Sequence, residues 1–431
     1  MVASLHPVRL SQTDVVVHDG RVAALGPAPA EAAVIRDCSG CVVLPGNVCA
    51  HHHLYSSLAR GMPYGLAPPA NFVEILRRVW WRLDRALDEE AVKASAVVGG
   101  AVALLNGTTT VIDHHSSPNA IDGSLDVIAS ALADLGLRSV LCYEVTDREG
   151  TDRAEAGVEE NRRFLKSDWP LARGMVGAHA SFTLSEDSLA ACVDLAASEG
   201  AGLHIHVAED AADQRDAEAR FGKRVVQRLA AAGALDERGL LAHCVHLDEH
   251  ELDGVRASGA TVVHNPSSNM NNGVGHAAVD RFDRLALGTD GTGGDMFAES
   301  KVAYWRAREA GLGADVAWLL QRAADSAAVA GRAFDELSLG RIEPGAPADL
   351  LVLAYDPPTP LFEQSLAGHW MFGWGGRHVR DVMVAGEWSV LDRQLTRVDT
   401  AKLTARCREA AARLWQRLDD VSEHPFVPAG S

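Results

Sequence analysis

A rhythm restricts the fold of this sequence more than any other feature. From about residue 47 onward, a short β-branched or apolar run ends in polar residues and a helical stretch follows. The runs fall at 47–53, 109–113, 138–143, 174–179, 203–207, 239–244, 261–265 and 285–290, eight in all. Helical patterns lie between them, for example over 71–105, 122–135, 185–198 and 248–257. Strands alternating with helices imply parallel pairing through right-handed crossovers. Eight such units predict an α/β fold, a closed (β/α)8 barrel of the TIM type, rather than an open sheet.

The flanks read differently. Residues 13–45 and 340–395 carry short alternating strands and turn signals, such as Val15-Val16-Val17 before Asp19-Gly20 and 349–353 after Pro344-Gly345. Neither flank can bury a core alone. The expected organisation is therefore a small β-sandwich built jointly from 1–45 and 340–395, a barrel over 46–339, and a C-terminal helix and tail over 396–431. The 431 residues suffice, since such a barrel takes roughly 250.

Thirteen of the 18 histidines fall between His51 and His276, mostly at the expected C-terminal ends of strands. In a barrel those ends converge on one face, where catalysis sits. Strand side chains alternate, so His51 and His53 point together into the mouth and His52 points away. His206 ends the fifth strand, and Glu209 follows it in the loop above. A histidine ligand beside a non-ligating carboxylate suits metal-assisted hydrolysis: one group holds the ion, the other shuttles protons. His204 shares the face of His206 but lies deeper, as a packed, hydrogen-bonded core residue. His243 closes the sixth strand and is preferred over His246, which falls in the loop. Asp290 ends the eighth, where a carboxylate can ligate a metal and accept a proton from water. His250-Glu251 is not a zinc motif, because no histidine follows four residues later.

These motifs resemble the amidohydrolase superfamily. The resemblance rests on Pro45-Gly46 with His51-x-His53, the histidines ending strands five and six, and the aspartate ending strand eight. Finer matches span nearly the whole chain. They include Ala59-Arg60-Gly61-Met62, Trp80-Trp81-Arg82-Leu83-Asp84, His179-Ala180-Ser181, His264-Asn265-Pro266-Ser267-Ser268-Asn269 and Ala348-Asp349-Leu350. They are similar to the branch of guanine, 8-oxoguanine and S-adenosylhomocysteine deaminases and atrazine chlorohydrolase, most closely to SsnA-type aminohydrolases.

The resemblance implies one divalent metal per chain held by His51, His53, His206 and Asp290, zinc first, with iron or manganese as alternatives. It implies that His243 hydrogen-bonds the attacking hydroxide or the substituent of the attacked carbon, that Glu209 protonates a ring nitrogen, and that Asp290 carries a proton to the leaving amine. His179 would contact the substrate. Arg60 would do so too, or form a structural ion pair. His114, His115, Glu144 and Asn269 are further candidates for shaping the pocket. The implied reaction is hydrolytic deamination of an amino-substituted purine, pterin or pyrimidine-like ring. Alternatives are opening of a cyclic amide, a chlorohydrolase-like displacement, or a lyase or isomerase on the same scaffold.

Two departures stand out. Binuclear members carry a carbamylated lysine at the end of strand four, where His179 stands here; none of the five lysines lies there. The run after Asn269 is Met270-Asn271-Asn272-Gly273, where the family commonly has Lys-Leu-Gly. The N-terminus also reads one strand short ahead of Val15.

Other readings are narrower. The balance of 40 Lys+Arg against 58 Asp+Glu, a net −18, disfavours nucleic acid as a partner. Seven scattered cysteines are not a secreted disulfide framework, and the lone Cys38-Ser-Gly-Cys41 reads as incidental. The uncharged stretch 94–112 imitates a membrane span, but Asn106-Gly107 divides it into helix, turn and strand. Gly291-Thr292-Gly293-Gly294 lacks a phosphate-loop lysine. With no leader pattern visible, the expected location is the cytoplasm, the partner a small heterocycle, and the assembly that of similar proteins, often a homodimer.

Overall fold

The computed structural model describes residues 1–29, 32, 34–63 and 65–430. The eight apolar runs are parallel strands: Asn47–His52, Thr108–His115, Arg138–Val145, Val176–Ala180, Leu203–Val207, Leu240–His243, Thr261–His264 and Leu285–Leu287. They pair in sequence order. A bridge between His52 and Asp290 brings the last strand back to the first, and the His51 carbonyl accepts from the N–H groups of Thr289 and Asp290 at 3.1 and 3.0 Å. The result is a nearly closed barrel. Every residue of Thr108–His115 and of Arg138–Val145 is buried, as expected of parallel strands covered on both faces.

Local chemistry sets where the helices begin. Ser185 caps Glu186–Glu199 by accepting from Ser188 N, and Gly200 ends it at φ 65°. Asp248 and Glu251 form a reciprocal cap on Glu249–Ser258. The helix expected over 71–105 is instead interrupted. Phe72–Ile75 runs through a wider π-type turn at Leu76–Trp80 into Trp81–Ala86, Leu87 is extended, and Glu89–Leu105 starts afresh. Asp88 is the reason: its carboxylate accepts from Ala91 N, which makes it the N-cap of a second helix.

Both chain ends build one seven-stranded sheet. Its order is Gln394–Leu395, Glu387–Leu391, Val379–Val384, Leu350–Ala354, Cys41–Pro45, Val2–Leu5 and Val8–Ser11. The hairpin Val15–His18 with Arg21–Leu25 packs Val15, Val17 and Val22 against it. The expectation of a missing N-terminal strand is overturned: two strands, Val2–Leu5 and Val8–Ser11, precede Val15 and pair antiparallel at the sheet edge. A buried ion pair ties this sheet to the barrel. Arg138, opening the third strand, reaches both Asp349 oxygens at 2.8 and 3.1 Å.

The last helix, Thr400–Asp419, buries Cys407, Ala410, Leu414 and Leu418, and its Trp415 indole donates to Leu58 O at 2.9 Å. Beyond it the chain crosses the barrel mouth. His424 exchanges hydrogen bonds with Arg77, through N to Arg77 O at 3.0 Å and from Arg77 Nε to its own O at 2.8 Å. Ala429 N then reaches Asp216 at 2.7 Å on the far side. Among the described residues no helix is long and apolar enough to cross a membrane.

Candidate active site

Three strand ends, the first, fifth and eighth, deliver His51, His53, His206 and Asp290 to one spot, all buried. His53 Nε2 lies 3.1 Å from His206 Nε2 and 3.1 Å from Asp290 Oδ1, and His51 Nε2 lies 3.7 Å from the same oxygen. The opposite nitrogen of each ring is anchored. His53 Nδ1 meets the His114 carbonyl at 2.6 Å, and His206 Nδ1 meets the His179 carbonyl at 2.7 Å. A carbonyl only accepts, so both rings carry the proton on Nδ1 and turn an Nε2 lone pair toward the cluster. His51 Nδ1 sits 2.8 Å from His204 Nε2, and His204 Nδ1 sits 3.7 Å from Cys142 Sγ. With the Cys142 thiol given to Asp113 O, His204 donates through Nδ1 and accepts through Nε2, leaving His51 with the same arrangement.

This donor set fits a divalent cation. His51 Nε2 is buried with no hydrogen-bond partner among the described residues. Two lone pairs 3.1 Å apart repel unless positive charge lies with them. Burial above all, helped by the neighbouring His53 and His243 and opposed by Asp290, lowers His51 to about 3 and holds it neutral, the form that ligates. At His53 burial also lowers the pKa, but the Asp290 carboxylate outweighs it and carries the ring up to about 9, so that in the absence of a cation a proton takes the Nε2 lone pair beside Asp290. The cluster attracts cationic charge at the point where the three Nε2 atoms and Asp290 meet. Anchoring of the outer nitrogens is the device that orients metal-binding imidazoles.

Beside the cluster, His243 Nε2 faces Glu209 Oε2 at 3.5 Å and Asp290 Oδ2 at 3.6 Å. Ala208, His243 and Asp290 take left-handed backbone at φ 46°, 73° and 52°, a strained choice that clusters at functional sites. Glu209 Oε1 accepts from Asn272 at 3.2 Å. Burial pushes the Glu209 carboxyl up to about 7, against the pull of His243. Asp213 fixes the loop beneath it by accepting from Ala208 N at 2.9 Å and Phe182 N at 3.0 Å.

A cavity of about 730 Å³, its open mouth included, leads to these groups. Phe72, Leu76, Trp80, Trp81 and Phe182 form an apolar wall, with Glu144, His179 and Glu209 among the polar lining. Four expected substrate contacts lie elsewhere. Arg60 is exposed and away from the cavity, and it makes no ion pair among the described residues. His115 is buried on the other side of its strand, with Nε2 2.8 Å from Ser117 Oγ. His114 is enclosed behind the cluster, with Nδ1 at Glu144 and Nε2 at the His204 carbonyl. Asn269 is spent on His243, whose Nδ1 lies 2.7 Å from its Oδ1. His52 faces away and meets Thr289 Oγ1 at 2.9 Å.

Sequence reasoning missed Asn272 and Asp213. The departure at 270–273 marked the first as unusual, while nothing local marked the second.

An eight-stranded barrel with histidines and an aspartate gathered at the strand ends defines a class of metal-dependent barrel hydrolases. The chain belongs to the amidohydrolase family, whose profile matches residues 42–389. A 5-methylthioadenosine/S-adenosylhomocysteine deaminase of Nitratidesulfovibrio vulgaris is 31% identical over 410 residues, 91% of each chain. An 8-oxoguanine deaminase of Pseudomonas aeruginosa is 29% identical, covering 93% of this chain and 94% of that one. The crystal structure of a Xanthomonas campestris adenosine deaminase with bound zinc superposes with a TM-score of 0.82 at 25% identity, covering 96% and 97% of the two chains. The protein is a hydrolase acting on carbon–nitrogen bonds.

Proposed function

We propose that this protein hydrolytically deaminates an amino-substituted nitrogen heterocycle, with release of ammonia. The observation that carries the reading is Glu209: a buried carboxyl pushed up to about 7, on the same cavity as the imidazole cluster and three residues beyond His206. A hydrolase needing only a metal has no use for a second, protonatable group there; a ring nitrogen that gains charge during attack does.

His51, His53, His206 and Asp290 would hold one divalent ion, which we assign as zinc, with iron or manganese as alternatives. When bound, that ion supplies Lewis acidity and brings water from a pKa of 15.7 to ~7.

The chain's own groups then do the following. Asp290 takes one proton from the attacking water. Glu209 gives a proton to the ring nitrogen beside the attacked carbon, so no anion builds up there. His243 Nε2 hydrogen-bonds the oxygen joining that carbon. As the C–N bond breaks, Asp290 passes its proton to the leaving amine, which departs as ammonia. The proton left on the new oxygen returns to Glu209, and the ring ends as a lactam. The apolar wall of Phe72, Trp80, Trp81 and Phe182 takes the flat face of the ring and keeps water from it.

The test is a screen of amino-substituted purines, pterins and pyrimidines with ammonia detection in isotopically labelled water. Ammonia should appear in equal amount to product, and the product should carry one labelled oxygen. Turnover of a cyclic amide without ammonia, or turnover without label, would assign one of the rival reactions instead.

A further inference from the structure

We propose that the buried guanidinium of Arg148 is a resident cation, filling the place of a second metal between Glu144, Asp84 and His179 and fixing which nitrogen of His179 carries its proton. The proposal rests on the reading of His51, His53, His206 and Asp290 as a metal centre.

Arg148 follows the third strand in the loop that rises from it, yet its side chain is only 2% exposed. Its Nη2 lies 3.1 Å from Glu144 Oε1 and 3.4 Å from Asp84 Oδ2. Its Nη1 lies 3.2 Å from His179 Nε2, and its guanidinium stacks 4.7 Å from the Trp81 ring centre. Both carboxylates are as enclosed as the arginine. Burial holds the Asp84 carboxyl well above the usual carboxylate range, so Glu144 is the buried anion that demands a cation.

The surrounding groups would also serve a metal. Glu144, His179 and His206 present ligand atoms within 4.8 Å of one another, as do His53, His114 and Glu144. These sets share His53 and His206 with the first cluster. A second dication could therefore assemble beside the first, and a guanidinium that never loses its charge stands in its way.

The same contacts decide a proton. A guanidinium only donates, so His179 Nε2 must accept. His179 Nδ1 then carries the proton and donates to Thr183 Oγ1 at 2.7 Å, and Thr183 donates onward to Ala180 O at 3.1 Å. The chain of donors runs one way, and both ring nitrogens are used. The His179 carbonyl meanwhile accepts from His206 Nδ1. Arg148 thus braces the residue that aims a metal-facing imidazole, as a positioning residue and not a catalytic one.

The test combines metal analysis with nitrogen-15 NMR of histidine-labelled protein. After loading with excess zinc and desalting, the wild-type chain and Arg148→Lys should each hold one ion, and Arg148→Met should hold two. In the wild-type spectrum the His179 proton should sit on Nδ1. One ion in Arg148→Met, or two in the wild-type protein, overturns the proposal. So does a His179 proton on Nε2, a measurement that decides the matter even if Arg148→Met does not fold. A wild-type chain that binds no zinc at all sinks the metal-centre reading, and this proposal with it.

Discussion

At the scale of single residues, what distinguishes this site is the direction of its protons. The two imidazoles anchored by carbonyls have no choice of tautomer, and the third is set through His204 and Cys142. Glu209 is held differently, by one hydrogen bond from Asn272 and by burial. A carboxyl raised to about 7 keeps its proton through mildly acidic pH and loses it as pH climbs past that value. As a proton donor it is competent below about 7 and lost above, so kcat/KM should fall about tenfold per pH unit on the alkaline side. Glu209→Gln can accept and donate hydrogen bonds but has no proton to give. It should lose on the order of 10²–10⁴ in kcat while its metal content, read by elemental analysis, stays at the wild-type level. Full activity in that variant would remove Glu209 from the mechanism.

At the scale of elements, strand parity explains both what the sequence made legible and what it hid. His51 and His53 were readable as partners because alternation is local and strict, and His52 falls away from them for the same reason. The same rule, applied to Thr108–His115, separates His114 from His115, so the two neighbours could not both shape the pocket. Asp213 and Asn272 were hidden because they act through tertiary contacts with the loop at Ala208 and Glu209, which no periodicity records. The helix break at Asp88 was hidden in plain view, since an aspartate inside a helical pattern is also a cap. Close strand approach is likewise not periodic. Gly177 in the fourth strand pairs with Glu144 in the third, and a Cβ there would lie 2.3 Å from the Tyr143 carbonyl oxygen. Backbone cannot yield as a flexible side chain can, so Gly177→Ala should push apart the strands that carry Glu144 and His179. We expect a loss of about 1–3 kcal/mol in urea unfolding. An unchanged midpoint would show that the two strands have slack.

At the scale of the whole molecule, the two ends of the chain do unlike jobs. The N-terminal strands join the C-terminal ones in a sheet clamped to the barrel by Arg138 and Asp349, far from the chemistry in function if not in sequence. The last residues instead return to the mouth. His424 packs edge-on against Trp81 with ring centres 5.3 Å apart and meets Glu149 at 2.7 Å. Phe426 lies 5.7 Å from Trp81 and 6.4 Å from Phe182, both of which line the cavity. The tail is therefore the outer layer of the apolar wall, although it falls outside the residues that the family profile matches. Its effect should be on ground-state binding, because it touches the wall and none of the proton-carrying groups. Phe426→Ala should raise KM on the order of tenfold, the equivalent of ~1.4 kcal/mol, with kcat changed by less than about twofold. Val427→Ala, at a side chain that is 51% exposed, should leave both constants alone. If steady-state kinetics instead found kcat falling and KM fixed, the tail would be acting on the transition state, and the wall would have to be redrawn around Trp81 alone.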